Sequence, residues 1–583
     1  MSVSDKFLKN SSTLCDCALD DSFIDKSKIR YIVDKIPKVT LRSLGEGDFK
    51  NGINKLIEFD TSEIEKQSLG KILYNKTNSV KVPAVFELLC EIFNNTDYVA
   101  RLKSFHATTE DYYNKVATNY GLTRDEFRRQ VKLFLPYAKL ERLYQLCKQE
   151  SAADIEQAAL EVEECILYPQ LYREECALIL RNIYRSEEAV LISYDVVPAQ
   201  GLPGHLGQYF KIQLRARIGT EMKTHHLFAK AVNTSNSEVA EFSLLPYRKE
   251  RFFFESLLES CKELGMEGLT DFCPKCYFVS DNMLIFEDIS VEGYNPWDFH
   301  IPVSYNWLSA TVRKLAKLHA MSIIFEERLS EKMGRTVRLD EEYPEGVREA
   351  SPHDDDGEKY KPLRDACRVC ISEYCLSKFP EVPKKLQMDV LKEKISNACD
   401  MMGKVKLKSD KIRNVLNHGD LWGANIMYRE DKDTGSSSTY LIDFQMTRYC
   451  PPSVDLMFLL YTNTDRATRL KHLKGLIELY YKELTQICRY YDCNIECIFK
   501  FDQLMESCRE IEPAAICVAI RYCQIMLMPK QFKKELLSDN ERSRAFFSGD
   551  RSRELEKVWS YEPLQTRIGG LIEDIVQIYE SEI

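Results

Sequence analysis

Three side chains have the types and spacing needed to move a phosphoryl group: Asp420 and Asn425 in His418-Gly-Asp420-Leu-Trp-Gly-Ala-Asn425, and Asp443 in Leu441-Ile-Asp443-Phe-Gln. Asp420 can accept or orient the proton of a substrate hydroxyl. Asn425 sits five residues on, at the end of the same loop, and Asp443 follows a short apolar strand, so both can face one Mg2+ ion. The plain alternative is a turn followed by a buried strand with a stray carboxylate. It does not account for Asp, Asn and Asp recurring in this order around a strand, a loop and a strand.

Such chemistry needs elements that hold a nucleotide. ATP requires a cation near its α- and β-phosphates, and Lys230, inside the apolar block Leu227-Phe-Ala-Lys230-Ala-Val, offers a buried stem with a head free to point into a cleft. A lysine so placed needs a carboxylate on the following helix, where Glu241, Glu250 and Glu255 are the choices. Gly204 and Gly207, in Gly201-Leu-Pro-Gly204-His-Leu-Gly207-Gln, could let the backbone approach the phosphates, although glycine and proline serve equally in an ordinary hairpin. The alternation in Tyr209-Phe-Lys-Ile-Gln-Leu-Arg-Ala-Arg and the Lys230 block predict adjacent strands of a small antiparallel sheet. From Asn306 onward Leu308, Val312, Leu315, Leu318 and His319 recur at helical spacing, and the chain reads as helical to Ile583 apart from the hairpin that carries Asn425 and Asp443.

Asn417-His418-Gly-Asp420-Leu-Trp-Gly-Ala-Asn425-Ile-Met, Asp443-Phe-Gln and Pro452-Ser-Val-Asp455-Leu together resemble the ecdysteroid-kinase-like family of insects. That family is similar to choline kinases and aminoglycoside phosphotransferases, which share a protein-kinase-like fold. The resemblance extends upstream through Leu284-Ile-Phe-Glu287-Asp-Ile289 and Leu315-Ala-Lys-Leu-His319-Ala. It implies an α/β (α+β) fold of two lobes: a small antiparallel β-rich lobe at about 165 to 292 that binds ATP, and a larger helical lobe at about 293 to 583 that holds the acceptor. It implies ATP- and Mg2+-dependent phosphorylation of a small-molecule hydroxyl, with an ecdysteroid or another lipophilic alcohol as acceptor. By the same resemblance Asp420 takes the catalytic place, Glu250 partners Lys230, and the lobe junction at Glu287 and Ile289 contacts adenine through backbone groups. His418 then holds the loop by hydrogen bonds, and His319 belongs to the core. A choline- or aminoglycoside-type kinase would instead show an acidic acceptor pocket, and an inactive scaffold would have lost one of Lys230, Asp420, Asn425 or Asp443. Aromatic residues of the late helices, Phe458, Tyr461, Tyr480, Tyr481 and Tyr522, could wall an apolar acceptor or pack the core.

The composition is compatible with this. Across 583 residues, 44% are apolar and 29% charged, so large cores and two or three domains are expected. A net charge of -10 without long basic runs argues against a nucleic-acid partner. No membrane span and no apolar leader is evident, so the 20 cysteines are expected as thiols in a cytoplasmic protein. The pairs Cys273/Cys276 and Cys367/Cys370 are too far apart in the chain to suggest one zinc site. The acidic segments Asp340-Glu-Glu-Tyr-Pro-Glu-Gly and Ser351-Pro-His-Asp-Asp-Asp-Gly-Glu are expected to form a solvated insertion, with a substrate lid as the lesser alternative. The oligomeric state is left open.

The first 160 residues are a partial repeat. Shifted by 368, Pro83 to Tyr113 aligns with Pro451 to Tyr481 without a gap, and 11 of the 31 positions are identical, where chance gives about two. Extended backwards, Asn75 falls on Asp443, and with a four-residue shift Gly45-Glu46-Gly47-Asp48 falls on Asn417 to Asp420, with Asn54 one residue late for Asn425. Residues 1–160 therefore read as a degenerate copy of about 412 to 530, without a metal carboxylate or nucleotide lobe. A relic of tandem duplication, or two neighbouring genes merged, is the favoured reading, and a fragment that docks on or regulates the intact unit is the alternative.

Overall fold

A computed structural model describes residues 14–16, 73–77, 80–149, 152–167, 171–186, 188–199, 207–232, 237–348, 361–431 and 435–582. The expected positions Gly45, Glu46, Gly47, Asp48, Asn54 and Gly204 lie outside them. The architecture is mixed α/β with antiparallel strands, and it divides into two compact units. One comprises residues 1–200, 209–230 and 280–286; the other comprises 201–208, 231–279 and 287–583.

The first unit begins with a small antiparallel sheet of β1 (Leu14–Asp16), β2 (Leu73–Thr77) and β3 (Val80–Pro83), in which Asn75 pairs with Leu14 on one side and Val82 on the other. Four helices follow: α1 (Ala84–Asn95), α2 (Tyr98–Lys115), α3 (Arg124–Gln149) and α4 (Ala152–Leu167). Val85, Leu88, Leu89, Ile92 and Phe93 of α1 recur at helical spacing and meet Phe105, Tyr112, Phe127 and Phe134 in one core. Cys165 at the end of α4 and Tyr172 before α5 (Arg173–Tyr184) belong to that core too. Two ion pairs cross it, Arg101 with Glu161 at 2.7 Å and Lys139 with Glu174 at 2.8 Å, all four side chains buried. Burying charges is tolerated only in such pairs. Strands β4 (Ala189–Pro198), β5 (Gly207–Ile218) and β6 (Glu221–Val232) then form a sheet in that order, with β8 (Met283–Glu287) beside β6. The expected alternation is present in β5, where Phe210, Ile212, Leu214 and Ala216 are buried and Gln213, Arg215 and Arg217 exposed.

The second unit contains α6 (Ser237–Phe252), continued by a π-turn at Phe253–Leu257, then β7 (Cys276–Val279), β9 (Asn295–Pro296) and the long α7 (Tyr305–Met333). The helical spacing seen from Asn306 is the buried face of α7, whose start is fixed by Ser304 accepting from Trp307 N. Strand β10 (Val415–Asn417) pairs antiparallel with β13 (Arg448–Cys450), and β11 (Ile426–Glu430) pairs with β12 (Ser437–Leu441) and with β9. Helices α8 (Pro452–Asn463), α9 (Arg466–Tyr490), α10 (Phe501–Met526) and α11 (Glu562–Ser581) contribute to the rest of the core, as does the helix Met388–Lys404. No single described helix is long and apolar enough to cross a membrane.

The acidic stretch differs from expectation in its first part. Leu339 and Val347 are buried, the Tyr343 ring lies 5.1 Å from that of Phe252, and Leu339 N donates to Glu326 Oε1 at 2.9 Å, so apolar residues between the carboxylates anchor it. Residues 349–360 lie outside the described ones.

The repeat is also visible in the architecture. Helices α1 and α8 coincide end for end at the offset of 368, and α2 and α9 begin at the same offset. Their caps correspond as well: Asp97 accepts from Ala100 N at 2.7 Å, and Asp465 from Thr468 N at 2.8 Å. Beyond the matched stretch, α3 and α10 are each 26 residues long with a proline at the same internal position, Pro136 and Pro513. Arg101, which pairs with Glu161 of α4, has its counterpart in Arg469, which pairs with Asp574 of α11 at 2.7 Å.

Candidate active site

The loop 418–425 hangs between β10 and β11, and a buried carboxylate fixes its start. Asp455, in the first turns of α8, accepts from His418 N at 2.5 Å and Gly419 N at 3.0 Å, while its own N–H donates to Asn417 Oδ1 at 3.1 Å. Burial alone would raise the Asp455 carboxyl, but the His319 imidazole, the His418 ring and the Gly419 amide outweigh it and hold the group below the usual carboxylate range. His319 Nε2 stands 3.5 Å from Asp455 Oδ2 and its Nδ1 2.6 Å from the Tyr480 hydroxyl. A proton on Nε2 facing the carboxylate has Tyr480 donating to Nδ1. At Gly419, φ is +86°, and a Cβ there would stand 2.1 Å from Met446 O, so only glycine fits. Arg448 Nη2 donates to Gly419 O at 3.0 Å and would also crowd that Cβ.

His418 is an internal brace, as expected. Its Nε2 donates to Ile442 O at 2.9 Å and its Nδ1 accepts from Asp420 N at 3.3 Å, which fixes the Nε2–H tautomer, and burial lowers its pKa so that the ring is neutral. Asp420 is held at both oxygens: Asn425 Nδ2 donates to Oδ2 at 2.9 Å, and the Tyr522 hydroxyl of α10 donates to Oδ1. Burial raises its carboxyl above the usual range, the Tyr522 bond opposes this, and the Asp443 charge adds to it.

Asp443 adopts left-handed backbone angles, φ 71° and ψ 64°, uncommon for a side chain of its size and characteristic of functional turns. Gln445 Nε2 donates to its Oδ2 at 3.0 Å. Two consecutive residues of α6 grip the segment that follows: Glu250 Oε1 accepts from Phe444 N at 3.2 Å, and the buried Lys249 ammonium donates to Thr447 O and to Arg348 O. Phe444 stacks on Phe253 of the π-turn with centroids 4.0 Å apart and planes 7° apart, and it meets Phe254, Phe272 and the His418 ring at its edges.

The expected site residues therefore fall into groups. Asp420, Asn425, Asp443 and Glu250 converge in the second unit, with Glu250 serving the backbone of Phe444 through one oxygen. Its rival Glu255 accepts from Arg251 Nε at 2.7 Å. Glu287 Oε1 accepts from Lys275 N at 2.9 Å, and Ile289 opens a 3-10 turn capped by Asp288. Lys230 lies near the end of β6, assigned to the first unit, between the buried Ala229 and Ala231, and Gly207 opens β5.

The donors suit a hard cation. With Nδ2 of Asn425 engaged by Asp420, its Oδ1 is the atom it can present, and with the Asp443 carboxylate it gives an all-oxygen set of the sparse kind Mg2+ takes when phosphates and water complete its shell. Among the described residues no cluster of three or more His, Cys, Asp or Glu side chains is poised to hold a metal without such help.

Of the late aromatic residues, one reaches the site. Tyr480 bonds His319 and Tyr461 donates to Glu512 inside the helical core, and the half-buried Tyr481 donates to Phe499 O at 2.9 Å; Tyr522 alone of these touches Asp420. Its ring lies 6.4 Å from that of Trp422, which meets Phe299 at 6.1 Å. Sequence reasoning missed the roles of Tyr522 and Lys249. Tyr522 lies 102 residues from Asp420 in a helix of ordinary apolar pattern, and no local signal marks it. Asp455 stood in a quoted motif, but its role needed the fold.

Residues 204–492 match the model of the ecdysteroid kinase-like family. Among solved structures the chain is similar to a thermostable mutant of an aminoglycoside phosphotransferase in its apo form, at 10% identity and a TM-score of 0.25, over 68% of this chain and 97% of that one. No curated protein matches the chain.

Proposed function

We infer that this protein, in which residues 204–492 belong to the ecdysteroid kinase-like family, transfers the γ-phosphoryl group of ATP to a hydroxyl of a small lipophilic alcohol such as an ecdysteroid, acting in the cytoplasm. The observation that carries the reading is the Asp420 carboxylate, clamped by Asn425 and by Tyr522, whose ring neighbours Trp422, which in turn meets Phe299. Each carboxylate oxygen accepts more than one hydrogen bond, so Asp420 retains lone pairs for an acceptor O–H. As that oxygen attacks in line, its bond to the γ-phosphorus forms and the bond from γ-phosphorus to the β,γ-bridging oxygen breaks. The proton passes to Asp420 and ADP leaves. When bound, Mg2+ held by Asp443 and Asn425 Oδ1 supplies positive charge to the β- and γ-phosphates.

An uncharged acceptor is favoured over a cationic one by what accompanies the rings. Arg521 lies over Tyr522 at 5.5 Å and Arg567 over Phe299 at 5.7 Å, and a quaternary amine would be repelled by both. The test is incubation of the purified full chain with γ-labelled ATP, Mg2+ and a panel of ecdysteroids, other sterols, phenolics, choline and aminoglycosides. Labelled product from the apolar alcohols is expected. Label on choline or an aminoglycoside alone would overturn the acceptor class, and no label on any acceptor would overturn the reaction.

A further inference from the structure

We propose that Tyr522 is a positioning residue for phosphoryl transfer: its hydroxyl and the Asn425 amide hold the two oxygens of Asp420 so that the carboxylate meets the acceptor alcohol in one orientation. The proposal deepens the reading above and rests on it. A carboxylate on a two-torsion stem, held only by its loop, can turn about its Cβ–Cγ bond and present either edge to solvent. Here it cannot, because Asn425 Nδ2 takes Oδ2 at 2.9 Å and also donates to the Asp420 carbonyl at 2.9 Å, while Tyr522 takes Oδ1. The two donors come from different places in the chain, one from the end of the same loop and one from α10. The loop alone therefore does not set the carboxylate plane.

Tyr522 is itself well placed to act as a fixed post. It follows a run of buried residues from Ala514 to Ile520 and precedes the buried Cys523, its ring leans on Trp422, and Arg521 covers it from the side. The first copy of the repeat supplies a contrast. At the offset of 377 that superposes α3 on α10, Tyr522 falls on Gln145, whose Nε2 donates to Glu141 Oε1 at 2.7 Å within its own helix. The copy with an intact Asp420 motif has the phenol, and the copy whose counterpart of Asp443 is Asn75 does not.

Tyr522→Phe removes the hydroxyl and keeps the ring. Steady-state kinetics of the full-length protein with ATP and the best acceptor from the panel are expected to show kcat lowered about tenfold, the scale of one hydrogen bond to a charged group, with KM for ATP unchanged and the thermal midpoint lowered no more than by Tyr461→Phe. A matched Tyr461→Phe variant, which loses a core hydroxyl bond away from Asp420, is expected to keep the wild-type kcat. An unaltered kcat in Tyr522→Phe overturns the proposal, as does a fall in kcat that comes with a raised KM for ATP or a midpoint lowered beyond that of Tyr461→Phe, because those mark general disruption. An active wild type with an unaffected Tyr522→Phe removes this inference and leaves the reaction standing. A wild type that labels no alcohol removes both.

Discussion

Substituting Asp455 by alanine tests how the loop is held. The carboxylate accepts two backbone N–H bonds, from His418 at 2.5 Å and Gly419 at 3.0 Å, and it is 1% exposed, so bulk water does not compete for them. Each hydrogen bond to a buried charge contributes about 1.5–3 kcal/mol, and the two bonds act on adjacent residues, so a loss of about 3 kcal/mol is expected rather than the full sum. Because its folded pKa lies below the ordinary carboxylate value, Asp455 contributes in full above the unfolded value and loses the contribution as pH falls through the folded one. Wild type and Asp455→Ala should therefore differ in urea midpoint at neutral pH and converge on acidification. Tryptophan fluorescence is a suitable probe, since all four tryptophans, Trp297, Trp307, Trp422 and Trp559, lie in the second unit. Turnover should fall about a hundredfold, the scale of a misplacement near 1 Å at the reacting group. Equal midpoints at neutral pH, or a difference that grows toward acid, would refute the argument.

Asp443→Asn, which copies the state of Asn75, should cut turnover by about two to four orders of magnitude while leaving the melting midpoint within experimental scatter, because volume is kept and charge removed. Gly419→Ala should abolish turnover and lower the midpoint, since the new Cβ would stand 2.1 Å from Met446 O and the backbone there is left-handed; a wild-type-like crystal structure of the variant would contradict this. Deleting residues 1–160 should yield poorly folded protein, because it cuts α4, removes Lys139 and leaves the buried Glu174 carboxylate unpaired; a monodisperse, cooperatively melting product would refute it.

What could be read from the sequence was what is local. The period of α7, the alternation of β5 and the spacing from Asp420 to Asn425 depend on neighbours in the chain, and each is where the pattern put it. The repeat was legible because 31 consecutive positions preserve it; its continuation through α3 and α10 was not, since an altered offset and diverged side chains leave little besides length and one proline. One partner of Asp420, Tyr522, comes from 102 residues away, and those of the Phe444 segment come from α6, Glu250 lying 194 residues before Phe444. Contacts of that span leave no periodicity to detect. The acidic stretch misled because its charges outnumber Leu339, Tyr343 and Val347, yet those three decide where it lies.

Two copies of one helical core in a single chain present a hazard while the polypeptide is still folding, because α1 could dock on α10 and α8 on α3. The diverged contacts discourage this exchange. In the second copy Ser453 of α8 bonds Ser507 of α10 at 2.6 Å, whereas the same two places in the first are Val85 and Gln130, so α1 docked on α10 would strand the Ser507 hydroxyl against Val85. Lys139 of α3, paired with Glu174 of α5, stands where α10 has Ile516, so the two helices also differ by one buried charge. The polar residues buried in each copy thus act as a sorting code, by which each half of the chain selects its own helices over its sibling's.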